Sequence, residues 1–168
     1  MNDTPADDVG PMDSPPLRVM VVDDHPMWRD AVERDLTAAG LQIVATAATG
    51  GEAVNRARAT RPSVVVLDLN IPEPNGVDVT ATLVAEDPTV RILVLSASGE
   101  QSDVLEAVKA GATGYLVKSA SRTELLDTLT VSEICPTSST IFAVTGVFGR
   151  TLILLTAVLK PLNVTVIV

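Results

Sequence analysis

From Leu17 to Leu129, short apolar runs alternate with segments of helical period. The runs Leu17-Arg18-Val19-Met20-Val21-Val22 and Val64-Val65-Val66-Leu67 are nearly continuous in β-branched and aliphatic residues. That pattern belongs to a strand buried on both faces, as in a parallel sheet; a strand with one wet face would alternate. Five strand–helix units can be placed. The first strand, Arg18 to Val22, feeds a helix opened by Pro26, with apolar positions at Met27, Ala31, Val32, Leu36 and Ala39 and a stop at Gly40. Gln42 to Ala47 forms the second strand, followed by a helix over Gly51 to Thr60 that Arg61-Pro62 ends. The third strand is Val64 to Leu67, and a proline-punctuated loop from Asn70 to Asn75 leads into a helix over Val77 to Glu86. Arg91 to Leu95, closing on Ser96, precedes a helix over Ser102 to Ala110 that stops at Gly111. The fifth strand, Gly114 to Val117, closes on Lys118, and the last helix begins near Ser121, with Glu124 three residues on as a capping box.

The pattern predicts an α/β domain, a (βα)5 doubly wound parallel sheet. Its strands end in chemistry. Asp23-Asp24 follows the first strand and Asp68 the third, and α/β sheets keep their sites at the carboxyl ends of strands. A five-stranded sheet of this kind commonly takes the order 2-1-3-4-5, which makes strands one and three neighbours and brings the three acids together. Clustered carboxylates repel one another unless a hard cation joins them. Mg²⁺ prefers one or two carboxylates, carbonyl oxygen, water and a phosphate, so the arrangement points to Mg²⁺ and a phosphoryl group.

Charge and composition narrow the partners. All 21 acidic residues lie at or before Glu133, whereas only Arg150 and Lys160 of the 12 basic residues follow it. So acidic a region offers no broad basic footprint for a phosphate backbone and is not expected to bind nucleic acid by itself. One cysteine, Cys135, excludes an internal disulfide framework, and the default address is cytoplasmic. Residues 1–16 hold four Asp and four Pro without an apolar core, which reads as a disordered leader and not a signal peptide.

Four motifs in register resemble the receiver domain of two-component response regulators. They are Val21-Val22-Asp23-Asp24-His25-Pro26; Leu67-Asp68-Leu69-Asn70-Ile71-Pro72 with Gly76 closing the loop; Leu95-Ser96-Ala97; and Gly114-Tyr115-Leu116-Val117-Lys118. The resemblance covers residues 17–129, and the Asp-Asp-His-Pro opening is most similar to the NarL/FixJ (LuxR-type), transcription-regulating branch. It implies the flavodoxin/CheY-like fold, a sensor histidine kinase as partner, and Asp68 as phosphoacceptor. By the same resemblance, Asp24, Asp23, Asp68 and the backbone carbonyl of Asn70 would hold Mg²⁺. Lys118 and Ser96 would contact the phosphoryl group, and Ser96 and Tyr115 would form a coupled switch in which Tyr115 turns inward. A homodimer is compatible with this reading. His25 is read as a hydrogen-bonding residue and not a base, and Trp28 as partial core able to report Mg²⁺ binding by its fluorescence. Where many receivers place proline after the lysine, this chain has Ser119.

The larger departure begins near Leu129. A NarL/FixJ-type regulator would continue into a charged helix-turn-helix domain, but residues 130–168 form an apolar tail with one acid and two bases and no recognition-helix pattern. The 19 residues from Ile141 to Leu159 approach a membrane span in length. Against about −3 to −7 kcal/mol from the aliphatic and Phe residues, Arg150 near the centre costs about 3 kcal/mol, so a membrane anchor is not expected. The abrupt loss of charge favours a non-homologous end arising from truncation or a frame change. The rival enzymatic reading is an aspartate-nucleophile, Mg²⁺-dependent phosphatase of the haloacid dehalogenase kind. That family expects Asp-x-Asp on the first strand, whereas here Asn70 follows Asp68 on the third. A flavin module is disfavoured because no phosphate-cradling loop follows strand one.

Overall fold

The structure is a computed structural model that describes residues 16–134. The expectations for the leader, apart from Pro16, and for residues 135–168 of the tail, including the span Ile141 to Leu159, lie outside the described residues. Five strands, β1 (Arg18–Val22), β2 (Gln42–Ala47), β3 (Val64–Leu67), β4 (Arg91–Ser96) and β5 (Gly114–Val117), alternate with five helices. These are α1 (Pro26–Ala38), α2 (Gly50–Thr60), α3 (Gly76–Glu86), α4 (Gln101–Ala110) and α5 (Arg122–Ile134). All strand pairs are parallel, in the order β2-β1-β3-β4-β5.

Alternation along the buried strands divides the core in two. Met20, Val22, Val65, Leu67, Ile92 and Val94 face one side, where Ala53, Ala57, Val79, Leu83 and Ala107 of α2, α3 and α4 cover them. Val19, Val21, Val64, Val66, Leu93 and Leu95 face the other side and meet Val32 and Leu36 of α1 and Leu125 and Leu129 of α5. The two-sided burial explains the unbroken apolar runs. Edge strand β2 is only partly buried, which matches its mixed sequence Gln-Ile-Val-Ala-Thr-Ala.

Helix ends follow local chemistry. Thr49 accepts from Glu52 N at the start of α2, and Asn75 accepts from Asp78 N at the start of α3. At α5, Ser121 N donates to Glu124 Oε2 (2.7 Å) while Glu124 N donates to Ser121 Oγ (3.3 Å), the reciprocal capping box expected from the sequence. The helix runs on to Ile134, past Leu129, so the loss of charge does not end it there. Two expectations about α1 fail: Ala39 is exposed at the C-cap beyond the helix, and Met27 is not on the buried face but is 86% exposed. It occupies the first turn, before the helix has reached the sheet, and Val32 and Leu36 supply the packing instead.

Candidate functional site

Three of the site residues, Asp23, Asp68 and Lys118, sit one step beyond a strand and are tied to the neighbouring strand by a backbone hydrogen bond. Asp23 N donates to Ala47 O (3.1 Å), Asp68 N to Val22 O (2.9 Å) and Lys118 N to Ser96 O (2.7 Å). The ladder therefore fixes three side chains from β1, β3 and β5 with sheet rigidity, although each lies in a connecting segment.

Those side chains meet. Lys118 Nζ lies 2.6 Å from Asp23 Oδ2 and 2.8 Å from Asp68 Oδ2, and all three side chains are almost wholly buried. Burial pulls the Lys118 pKa down, but its hydrogen bonds to Asp23 and Asp68, helped by their charges, outweigh this and the net shift is upward. Asp68 Oδ1 accepts from Asn70 N (3.2 Å), and Asp23 Oδ1 accepts from His25 N (2.9 Å). These turns orient both carboxylates, leaving Oδ2 of each toward the ammonium.

Asp24 is held differently. Its Oδ1 is buried and accepts no hydrogen bond, although His25 Nδ1 approaches to 2.8 Å. A buried carboxylate oxygen without an aligned donor is costly, and a cation would relieve it. Ligand atoms of Asp23, Asp24, His25 and Asp68 lie within 4.8 Å of one another. The oxygen-rich set suits a hard ion such as Mg²⁺. Asn70 does not join this group by its side chain; its backbone N–H contacts Asp68, and its carbonyl is the atom assigned to metal by the family resemblance.

Ser96 ends β4 fully buried, where its Oγ accepts from Ser98 N (3.2 Å). Tyr115 is also fully buried, within the core beneath α4, and its hydroxyl donates to Ser98 O (2.8 Å). Tyr115 therefore occupies an inward position in this structure. Burial raises the Tyr115 pKa, while the nearby Ser96 hydroxyl acts to lower it.

Two residues singled out in the sequence flank these acids. His25 belongs to the cluster through a turn that aims Nδ1 at Asp24, a contact no periodicity reveals. Trp28, expected as partial core able to report on the metal site, lies outside both core clusters, with its ring 5.5 Å from Lys118 Nζ.

Gly76 makes the Asp68 loop compact. A Cβ there would sit 2.5 Å from Asp68 O and 2.6 Å from the Leu69 Cα, and Gly76 N donates to Leu69 O (3.0 Å). Only glycine lets α3 begin this close to the loop.

Parallel (βα)5 topology with a strand-end acidic cluster and a lysine defines a phosphoryl-transfer signalling class, and comparison with known proteins agrees. Residues 19–130 match the family model described as response regulator receiver domain, and the chain belongs to that family. It is 39% identical over 101 residues to the chemotaxis protein CheY of Thermotoga maritima, covering 60% of this chain and 84% of that one. To the nitrate/nitrite response regulator NarL of Escherichia coli K12 it is 35% identical over 115 residues, covering 68% of this chain and 53% of that one. The chain thus spans about half the length of the NarL relative. The solved receiver domain of NarL from Mycobacterium tuberculosis superposes with a TM-score of 0.67 at 34% identity, covering 70% of this chain and 95% of that one. A CheX–CheY–BeF3–Mg complex from Borrelia burgdorferi gives a TM-score of 0.68 at 26% identity, covering 71% and 91%.

The family consists of signalling phosphoacceptors that interact with histidine kinases and phosphatases. Its members hold Mg²⁺ at an acidic cluster of the kind found here. The haloacid dehalogenase alternative finds no support. Among the described residues, no helix is long and apolar enough to cross a membrane.

Proposed function

We propose that Asp68 accepts a phosphoryl group from a phosphohistidine of a sensor histidine kinase, and that the modified chain acts as a switch. The observation that carries this is the clustering of Asp23, Asp24 and Asp68, with one buried lysine bridging Asp23 and Asp68. An Asp68 carboxylate oxygen forms the new bond to phosphorus as the bond from phosphorus to the donor imidazole nitrogen breaks, and the imidazole leaves with the electron pair. Asn70 N–H orients the carboxylate through Oδ1, so the attacking group does not rotate freely.

Asp23, Asp24, Asp68 and the Asn70 carbonyl would hold Mg²⁺, which when bound neutralises charge on the transferring oxygens. Lys118, already at Asp68 Oδ2, is placed to pair with a phosphoryl oxygen once Asp68 carries one. Ser96 would give up its contact with Ser98 N to donate to the same group, and Tyr115 would keep its inward position behind it. The receiver unit is assigned to residues 17–129. A transcriptional output, a homodimer, the absence of nucleic-acid binding by this region and a cytoplasmic address belong to the same reading. Kinship with NarL and DegU supports the transcriptional output, and the acidic composition supports the absence of nucleic-acid binding.

Acetyl phosphate with Mg²⁺ is expected to add one acid-stable, base-labile phosphoryl group per chain, seen as a single mass increment. Asp68→Asn and chelation of Mg²⁺ should each abolish it. Persistent labelling in Asp68→Asn would place the acceptor elsewhere, and turnover of many equivalents without a labelled protein would indicate a phosphatase.

A further inference from the structure

Lys118 has a third partner besides its two carboxylates. The Trp28 ring lies 5.5 Å from Nζ, within the range at which an ammonium is drawn to the negative face of an aromatic ring. Trp28 is 40% exposed and absent from both core clusters, so filling the core does not account for a residue of this size at the rim. Its neighbour Met27, 86% exposed, stands free in solvent, whereas Trp28 is turned toward the site.

The ring is fixed to the backbone that carries the acids. Pro26 opens α1 directly after Asp23, Asp24 and His25; Arg29 N donates to His25 O (3.1 Å), and Arg29 Nη1 donates back to Asp23 O (2.8 Å). Asp23 and Asp68 have a double duty, since both belong to the cluster suited to a dication and both bind the ammonium. A dication entering the cluster competes with Lys118 for those oxygens. An indole is no ligand for a hard ion, so it remains available to the ammonium when a carboxylate is taken.

We propose that Trp28 is a positioning residue for Lys118: its ring face would hold the ammonium beside Asp68 when Asp23 is engaged by a bound dication, ready to meet the incoming phosphoryl group. The proposal rests on the phosphoacceptor reading above and adds a residue that acts only through Lys118.

The test is a double-mutant cycle on the whole chain, with acetyl phosphate and Mg²⁺ as probes. Trp28→Leu should lower the phosphorylation rate at subsaturating acetyl phosphate by about 2- to 5-fold, the range exposed cation–π contacts provide. Trp28→Phe should recover part of the loss. In a Lys118→Met background, Trp28→Leu should change the remaining rate by less than about 1.5-fold, because the partner is gone. Trp28 is the only tryptophan, so its emission should also differ between wild type and Lys118→Met without any phosphodonor.

Equal loss from Trp28→Leu in both backgrounds would assign the residue a packing role and overturn the proposal. So would wild-type rates in Trp28→Leu, or identical emission with and without Lys118. Wild type that never becomes labelled on Asp68 would overturn the phosphoacceptor reading and this role with it. Labelled wild type with an additive cycle would overturn this role alone.

Discussion

Lys118 Nζ stands 2.6 Å from Asp23 Oδ2, closer than it stands to Asp68, the proposed acceptor. The ammonium therefore supplies the positive charge that holds two buried carboxylates from β1 and β3 together without a metal. Removing one member of a buried ion cluster leaves the others uncompensated. Lys118→Met is expected to lower stability in chelator by about 3 kcal/mol in urea melts. Saturating Mg²⁺ should return most of that loss, because a dication can replace the ammonium between the carboxylates. A variant equally unstable with and without Mg²⁺ would show that the lysine packs rather than compensates charge.

Asp24 tests the metal assignment from the opposite side. Its buried Oδ1 accepts no hydrogen bond, and its charge adds to that of Asp23 and Asp68. Without metal, Asp24→Asn should stabilise the fold by up to about 1 kcal/mol through reduced repulsion. With metal it should bind Mg²⁺ roughly tenfold or more weakly in calorimetry. Loss of stability in chelator together with unchanged Mg²⁺ affinity would give Asp24 a purely structural role.

Particular residues show where the sequence was informative. Val64 to Leu67 reads as a strand buried on both faces because each face is covered by helices, and the acid that follows must then lie at the sheet's carboxyl edge. Ser121 and Glu124 announce a helix start because their side chains satisfy orphan N–H groups locally. Met27 misled because helical spacing identifies a stripe but not the residue at which the helix first meets the sheet. Tyr115 was harder still. Its strand lies at the sheet edge, and it is buried in a core cluster drawn from distant segments, Ala107 of α4 among them, with its hydroxyl bonded to Ser98 beyond β4.

Tyr115 is the only tyrosine, so absorbance near 295 nm reports its ionisation alone. Burial raises its pKa above the ordinary value of 10.0. The unfolded phenol thus loses its proton at lower pH than the folded one, and the unfolded state binds fewer protons in between. The stability contributed by the neutral, buried phenol is complete below pH 10 and falls as pH rises toward the folded pKa. Spectrophotometric titration should find a midpoint above 10 in the native chain and near 10 in denaturant. Tyr115→Phe should abolish the signal and cost about 1 kcal/mol for the bond to Ser98 O. A native midpoint at or below 10 would mean that the ring is not held inside.

Gly76 links the Asp68 loop to α3 by close approach and not by charge. Both atoms nearest a new Cβ, Asp68 O at 2.5 Å and the Leu69 Cα at 2.6 Å, belong to the backbone, so no side-chain rotation can make room. Gly76→Ala must push α3 away from the loop or shift the peptide that follows Asp68. Overpacking of this kind costs about 1–3 kcal/mol, measurable in urea melts. Because the shift falls on the peptide joining Asp68 to Leu69, the loop that presents Asn70 N–H to Asp68 Oδ1 moves with it. The phosphorylation rate should therefore drop even where the variant remains fully folded. Gly51, whose Cβ would meet nothing within 4 Å, provides the control: Gly51→Ala in α2 should leave the rate unchanged and raise stability by several tenths of a kcal/mol through helix propensity. Equal behaviour of the two alanine variants would show that the loop tolerates the displacement and that Asp68 is oriented by the strand alone.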